Sequence, residues 1–457
     1  MTKAVLIFPP FTQPCQSKKR CLVPLGIAYI GGYLRKHGID VTLIDSYVEG
    51  YDNEVYQNDT VTIGLSMLDI KERIRDIEPD FVGVSSLMTA QFPNALTVCK
   101  TVKDVNPDIH VVIGGCHPSV FPQDMLKFPE IDSVVIGEGE QSMLDIVKGK
   151  VNGVVNRKPL DINTIPHPAR DLLPMEKYIA INMPENMFSP FDRVTQVVSS
   201  RGCPFNCVFC STTNLHGHWR GRKAEDVIAE AQMLKNTYGI EEINFIDENL
   251  VMNRERIVKI LEGFKKIGIA WSNPGGIWID GLDNDLLDLM KASGCYQLTF
   301  PVETSNEKIL KKVINKPIHI EKVEPLVKHC HKIGIDVHAF FVCGFPQQTK
   351  QDMINDFEYA KRVAFDSASF HIITPLPGSK IYDQYHDIDL KNINYIHSTI
   401  PHPTLSSKEI EDLVNSFNVE FNKLLQQRDP VKFYNKYVKT AEKKFHNKDY
   451  ESLLKRV

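Results

Sequence analysis

The run Arg201-Gly202-Cys203-Pro204-Phe205-Asn206-Cys207-Val208-Phe209-Cys210 places three cysteines in eight residues, spaced Cys-x3-Cys-x2-Cys. No other feature constrains this chain as strongly. Three thiolates this close can wrap one corner of a cube-shaped iron–sulfur cluster and leave the fourth iron without a protein ligand. A structural zinc or iron–sulfur site takes four ligands and is closed. The next cysteine is Cys295, far along the chain. The spacing therefore predicts an open metal position, a place to bind and activate something.

The run resembles the signature of the radical S-adenosylmethionine (AdoMet) enzymes. The Arg-Gly-Cys-Pro lead-in and the aromatic Phe209 fit it as well as the cysteines do. The resemblance implies a 4Fe-4S cluster on Cys203, Cys207 and Cys210, with AdoMet chelating the open iron and Phe209 near its adenine. It also implies that an electron from the reduced cluster cleaves the sulfonium to yield a 5′-deoxyadenosyl radical. An electron donor of flavodoxin or ferredoxin type is the expected partner.

At 457 residues the chain is too long for one ordinary core and predicts two or three domains. Its hydrophobic content of 42% and charged content of 24% are those of a globular protein. A formal net charge of -4 argues against a dominant nucleic-acid field. No stretch approaches the length of a membrane span, and the apolar run before Pro9-Pro10 is too short for a signal peptide. Ten cysteines without regular pairing fit a reducing compartment, and a cytoplasmic location is expected.

The first 150 residues alternate strand-like and helix-like segments. Strands are predicted over 3–8, 40–44, 80–85, 110–113 and 133–136, and helices over 27–36, near 67–77 and over 93–105. The loop from 9 to about 23 is expected to carry no regular structure. Such alternation implies a doubly wound parallel sheet with right-handed crossovers, and ligands bind at the carboxyl ends of its strands. Glycine and small residues gather at those ends: Ser85-Ser86-Leu87-Met88-Thr89, Gly114-Gly115-Cys116-His117-Pro118-Ser119 and Gly137-Glu138-Gly139-Glu140. Paired glycines let a bulky ligand approach the backbone.

In order, Pro24-Leu25-Gly26, the Gly-Gly-x-His-x-Ser turn and the Gly-Glu-Gly-Glu turn resemble the landmarks of the cobalamin-binding domain that precedes many radical AdoMet enzymes. The resemblance implies cobalamin against Ser86, Leu87, Thr89, Gln91, Gly114, Gly115, His117, Ser119, Gly137, Glu138 and Gly139. One departure matters. Cobalamin mutases carry Asp-x-His-x-x-Gly after the first strand, and the loop from Pro9 to Cys21 holds no histidine; Asp108-Ile109-His110 enters a strand instead. Cobalamin is therefore expected base-off with no histidine ligand, its lower face toward the 87–91 loop or a water. His117 reads as a hydrogen-bonding turn residue.

Residues 151–190 are rich in Pro and Asn and read as a linker packed across domains, not a free tether. The alternation resumes at 194, with strands predicted over 194–200, 242–246, 271–275, 297–302, 336–343 and 367–373, and helices over 224–238 and 254–267. Six strand–helix units suggest a partial (β/α)6 barrel open on one side, with chemistry at the carboxyl ends. Asp247-Glu248-Asn249 follows one strand, and Asp247 is placed to meet the AdoMet ammonium. Glu303-Thr304-Ser305 follows another, and the resemblance implies that Glu303 reaches the AdoMet ribose. Arg220 or Arg222 could pair with a carboxylate.

The predicted organisation is α/β: a Rossmann-like cobalamin-binding domain over 1–150, a linker over 151–190, the radical AdoMet partial barrel over 191–385 and a helical region over 386–457. Ser406-Ser407-Lys408-Glu409 is a capping box opening a helix to about 425. Residues 421–457 carry ten Lys or Arg against four Asp or Glu, interleaved with Phe433, Tyr434, Tyr437 and Phe445. That tail reads as a helical appendage packing its aromatics on the core, with contact to a peptide, protein or polynucleotide as the alternative. The two resemblances together imply a methyltransferase that moves the methyl of AdoMet through methylcobalamin to an unactivated carbon after hydrogen abstraction. An oxidative cyclase or ring-rearranging enzyme with the same cofactors is the alternative. The substrate, a small molecule or a peptide, is not written in any of these residues.

Overall fold

The apolar run Ala-Val-Leu-Ile at residues 4–7 is buried on both faces, as a strand in the middle of a parallel sheet must be. The computed structural model describes residues 2–440 except 16, 150, 187, 387, 389–392 and 394–396. Its chain divides into two units, Met1–Ile181 and Asn182–Val457. No described helix is long and apolar enough to cross a membrane.

The first unit contains β1 (Lys3–Phe8), β2 (Phe11–Pro14), β3 (Asp40–Asp45), β4 (Glu54–Gln57), β5 (Thr60–Ile63), β6 (Phe81–Ser85), β7 (His110–Gly114), β8 (Ser133–Ile136) and β9 (Gly153–Asn156). Six of these form one parallel sheet in the order β3-β1-β6-β7-β8-β9. The order reverses between β1 and β6, the switch point where doubly wound sheets open a crevice at their carboxyl ends. Val5, Ile7, Val82, Val84, Val111 and Ile113 form the centre of one core layer beneath the helix Phe92–Val105.

Two parts of this unit differ from expectation. The loop after β1 is not irregular: β2, β5 and β4 form a small antiparallel sheet, folded over Tyr47, Val61 and Ile63. Its hairpin turns on Asn58-Asp59, with Asn58 at φ 52°, a residue pair suited to the left-handed geometry of two-residue hairpins. The region read as the start of a linker supplies β9, which pairs with β8. Farther on, Ala169 N–H donates to Ala28 O at 2.9 Å, and Arg35 forks onto Asp171 at 2.5 and 3.0 Å. A proline-rich stretch can thus be ordered when its few backbone donors meet a helix flank.

The second unit contains β10 (Val194–Val197), β11 (Ser200–Arg201), β12 (Arg220–Gly221), β13 (Glu242–Phe245), β14 (Ala270–Asn273), β15 (Cys295–Glu303), β16 (Asp336–Cys343) and β17 (Ser367–Ile372). The six long strands run in parallel and in sequence order, β10-β13-β14-β15-β16-β17. Helices Ala224–Tyr238, Arg254–Ile267, Asn284–Ala292, Val323–Ile333 and Lys350–Val363 connect them. The two end strands do not pair, so the sheet is an open (β/α)6 barrel. The strand expected over 194–200 breaks at Val197, because Ser199 N–H leaves the ladder and donates to Asp247 Oδ2 at 3.0 Å. The freed chain then pairs antiparallel with β12.

The helix Ser407–Arg428 opens on the expected box, Ser406 and Glu409 capping each other. Its Phe417 and Phe421 pack on Phe357 and Phe370. Phe433 and Tyr437 are buried, and Tyr434 is exposed. Lys432 reaches Asp336 and Asp366 at 2.7 and 2.6 Å, and Lys436 reaches Asp336 at 2.7 Å. This part of the tail is packed on its own barrel. Phe445 and the other residues of 441–457 lie outside the described residues.

Candidate active site

In the first unit the glycine turns meet at the carboxyl edge of the sheet. Gly115 has φ 114°, and a Cβ there would stand 2.5 Å from Ser86 O, so the β7 turn lies directly on the β6 loop. Ser86 N–H donates to Gly114 O at 2.7 Å. Ser119 Oγ donates to Gly115 O at 2.7 Å and accepts from Gly137 N–H at 2.9 Å, tying the β7 and β8 turns together. Gly137 is left-handed at φ 72°. Gly139 opens the helix Gly139–Val147 after Glu138, and its missing Cβ lets Ile30 approach.

Leu87 and Met88 are 51% and 53% exposed, while Ser86 Oγ is buried without a hydrogen-bond partner. Two large apolar side chains in water beside close-packed backbone and an orphaned hydroxyl fit a broad, partly apolar ligand. Gln91 differs from expectation: its amide donates to Thr12 O at 2.7 Å and accepts from Thr12 N–H at 2.9 Å, so it pins β2. His117 is buried between Phe92 and Phe121, with Nδ1 3.2 Å from Thr89 Oγ1. Burial pushes its imidazole down to about 4, so the ring is neutral near pH 7.

In the second unit the cluster loop leaves β11 through Gly202 at φ 80°, where a Cβ would lie 2.5 Å from His218 O. Neighbouring segments hold the loop. Thr213 Oγ1 donates to Phe205 O at 2.8 Å, Asn315 Nδ2 to Asn206 O at 3.2 Å, Val208 N–H to Ile314 O at 2.9 Å and Ile381 N–H to Val208 O at 3.0 Å. Cys203, Cys207 and Cys210 are free thiols, each half-buried. The Cys207 thiol feels both of the others. Burial pushes Cys203 up, and Cys207 up to about 12, so taking up iron releases protons. Among the described residues no three His, Cys, Asp or Glu side chains form a single-ion site. A cubane asks for none, since each thiolate takes a different iron. The donor set fits the cluster.

The strand-end residues divide into two kinds. Glu303 is 5% exposed and ion-paired with Lys316 at 2.5 Å. Thr304 and Ser305, next to it, are anchored by Asp356, which accepts from Thr304 Oγ1 at 3.0 Å and from Ser305 N–H and Oγ at 2.6 Å each. Phe209 faces Phe345 with ring centroids 6.3 Å apart. Asp247, by contrast, already accepts from Ser199 N–H and Oγ at 3.0 and 2.6 Å and from Ser200 Oγ at 2.5 Å. Its carboxylate braces the strand that enters the cluster loop. Arg222 is buried against Glu230 and Asp226 at 2.5 and 2.7 Å, and Arg220 donates to His216 O at 3.0 Å. Arg222 thereby ties the end of β12 to the helix Ala224–Tyr238, and Arg220 ties it to the helix Thr212–His216.

Sequence reasoning passed over three residues here. Arg256 donates to Ser199 O at 2.5 Å and Arg222 O at 2.6 Å, locking the base of the cluster loop. His338 and His371 stand on β16 and β17, on the face opposite Phe341 and Phe370, which pack against the helices. His338 has Ser367 Oγ at 2.7 Å and Ser369 Oγ at 3.3 Å; His371 packs on Phe340 and feels the Glu303 charge. Burial pushes both imidazoles down, that of His338 to about 3. The signal was the two-residue period of these strands, which alternates apolar residues with His, Ser and Phe. A hollow of about 600 Å³ lined by Lys235, Glu241 and Gly294 lies at the opposite, amino-terminal ends of the strands, away from all of these groups.

Comparison with known proteins places both halves. The B12 binding domain family matches residues 16–147, and the Radical SAM superfamily matches residues 197–360. Cytidylyl-2-hydroxyethylphosphonate methyltransferase of Streptomyces wedmorensis is 31% identical, over 92% of this chain and 90% of the relative. An uncharacterized methyltransferase of Pyrococcus horikoshii is 33% identical, over 79% of this chain and 78% of its own. Among solved structures, the radical AdoMet methyltransferase TsrM of Kitasatospora setae, with cobalamin and a [4Fe-4S] cluster bound, has a TM-score of 0.66 at 14% identity, covering 83% of this chain and 74% of that one. A doubly wound sheet edged with glycine turns, an open barrel with a three-thiol loop, and relatives alike along most of their length converge on one conclusion: the chain belongs to the cobalamin-dependent radical SAM methyltransferases.

Proposed function

We propose that this methyltransferase moves the methyl group of AdoMet, by way of cobalamin, to an unactivated carbon of a small hydroxyl-bearing substrate. The observation that carries the reading is one chain holding both an open three-thiol loop and an apolar, glycine-floored crevice edge. When bound, the cluster and AdoMet supply a hydrogen-abstracting radical and cobalamin supplies the methyl group, a division of labour in which the protein binds and orients. Cys203, Cys207 and Cys210 hold the cluster, with Phe209 and Glu303 toward AdoMet. The glycines of the β7 and β8 turns let the corrin lie close to the backbone.

Cobalamin binds base-off without a histidine ligand. Support comes from Leu87 and Met88, which offer an apolar surface. A flavodoxin- or ferredoxin-type protein delivers the electron, and the ten free thiols suit the cytoplasm. The Streptomyces relative makes cytidylyl-2-hydroxyethylphosphonate the first substrate to test.

Reconstituted protein given reductant, AdoMet, hydroxocobalamin and substrate is expected to form one 5′-deoxyadenosine and one S-adenosylhomocysteine per product, with a mass gain of one CH2. Deoxyadenosine formed without S-adenosylhomocysteine removes the methylation reading. A second reading, oxidative cyclisation, is favoured by a 26% identical relative, the anaerobic magnesium-protoporphyrin IX monomethyl ester cyclase of Rubrivivax gelatinosus. Its product would instead lose hydrogen or gain oxygen.

A further inference from the structure

The last two strands of the barrel alternate in burial. Along β16, Val337, Ala339, Phe341 and Cys343 are buried, while His338, Phe340 and Val342 between them keep some accessible surface. Along β17, Phe370 and Ile372 are buried, while Ser369 and His371 keep some. The buried set faces outward, where Phe341 meets Tyr359, and Phe370 meets Phe357 and Phe417, on the covering helices. The partly exposed set therefore faces into the barrel. In a closed barrel, layers of side chains fill that space. Accessible surface on these inward side chains marks a hollow bounded by His338, Phe340, Val342, Ser369 and His371.

The hollow is stopped at the amino-terminal end of the barrel. There Asn186 Nδ2 donates to Tyr296 Oη at 2.7 Å and to Gln297 Oε1 at 3.0 Å, and Phe188 packs on Tyr437 with ring centroids 4.9 Å apart. His338, nearest that end, has its two ring nitrogens on Ser367 and Ser369. The Phe340 ring separates the two imidazoles, 4.9 Å from His338 and 5.5 Å from His371. His371 stands one residue before the carboxyl end of β17, in register with Val342 and within reach of the Glu303 charge. Neither strand contributes a Lys or Arg, and burial keeps both imidazoles neutral near pH 7. A wall of this make-up does not balance a buried phosphate or carboxylate. A neutral imidazole offers one donor and one acceptor, which suits a hydroxyl group.

We infer that this hollow takes the uncharged, hydroxyl-bearing end of the substrate, and that His371 hydrogen-bonds its hydroxyl while the charged part stays clear of the β16–β17 wall. The inference rests on the reading of a small hydroxyl-bearing substrate; it adds which end enters the barrel and which residue selects it. Phe340 and Val342 supply the apolar flank for the carbon that carries the hydroxyl.

The test measures binding without turnover, on full-length protein reconstituted with cluster, AdoMet and hydroxocobalamin and given no reductant. The probes are cytidylyl-2-hydroxyethylphosphonate and the analogue with hydrogen in place of its hydroxyl. Calorimetry is expected to show the wild type preferring the hydroxyl probe by about tenfold, the equivalent of one interaction of about 1.4 kcal/mol. His371→Phe is expected to bind the two probes equally, and His371→Gln to keep a preference. Val342→Phe, which fills the hollow beside His371, is expected to weaken both probes by about tenfold. Cluster iron content, measured alongside, shows that each variant is assembled. A wild type that binds both probes equally, a His371→Phe protein that still prefers the hydroxyl probe, or wild-type affinity in Val342→Phe overturns the proposal. If His371→Phe does not assemble, the wild-type preference and Val342→Phe carry the test. A wild type that binds neither probe removes the reading of the substrate, and this inference with it.

Discussion

Asp45 ends β3 with its carboxylate buried, accepting from Tyr178 Oη at 2.5 Å and from the backbone N–H groups of Tyr47 and Val48 at 3.0 and 3.2 Å. Burial outweighs those donors and raises its carboxyl from the usual range to about 7. The folded protein thus holds a proton that the unfolded chain releases above about pH 4. Stability is expected to fall as pH rises from about 4 to about 7, then level off. Asp45→Asn, which still caps the following helix, is expected to remove that slope, read as urea midpoints at pH 5 and pH 8. The same scale explains which site residues were legible. The three cysteines carry their chemistry in their spacing. Asp247, Arg222 and Gln91 each make a hydrogen bond or ion pair within the fold that a string of letters does not show.

At the scale of elements, periodicity located most helices and strands, because one buried stripe or a continuous apolar run leaves a clear mark. The β2-β5-β4 sheet escaped because its strands are four residues each, too short for a period to register. Only the Asn58-Asp59 pair announced it. The tail helix was legible from its capping box, but not what it covers. Phe421 is fully buried against Phe357 and Phe370, so Phe421→Ala is expected to cost about 3–5 kcal/mol. A lower urea midpoint at unchanged m would register the loss.

At the scale of the whole molecule, two parallel sheets of six strands each end in unpaired edges, β3 and β9 in one, β10 and β17 in the other. Amides of the inner strands β6, β14 and β15 are expected to exchange with deuterium more slowly than those of β9 and β10, since opening an edge breaks one ladder and opening the centre breaks two. Uniform exchange across either sheet, read by mass spectrometry, would contradict this topology. From sequence alone came the two parallel sheets, the three-thiol loop and the glycine turns, since spacing, alternation and backbone freedom are local properties that the order of residues expresses directly. Only the tertiary structure decided which polar side chains brace the fold, because that depends on burial and on partners tens of residues away. Gln91 is the clearest instance: nothing beside it in the chain sets it apart, and the fold brings it to Thr12, 79 residues away.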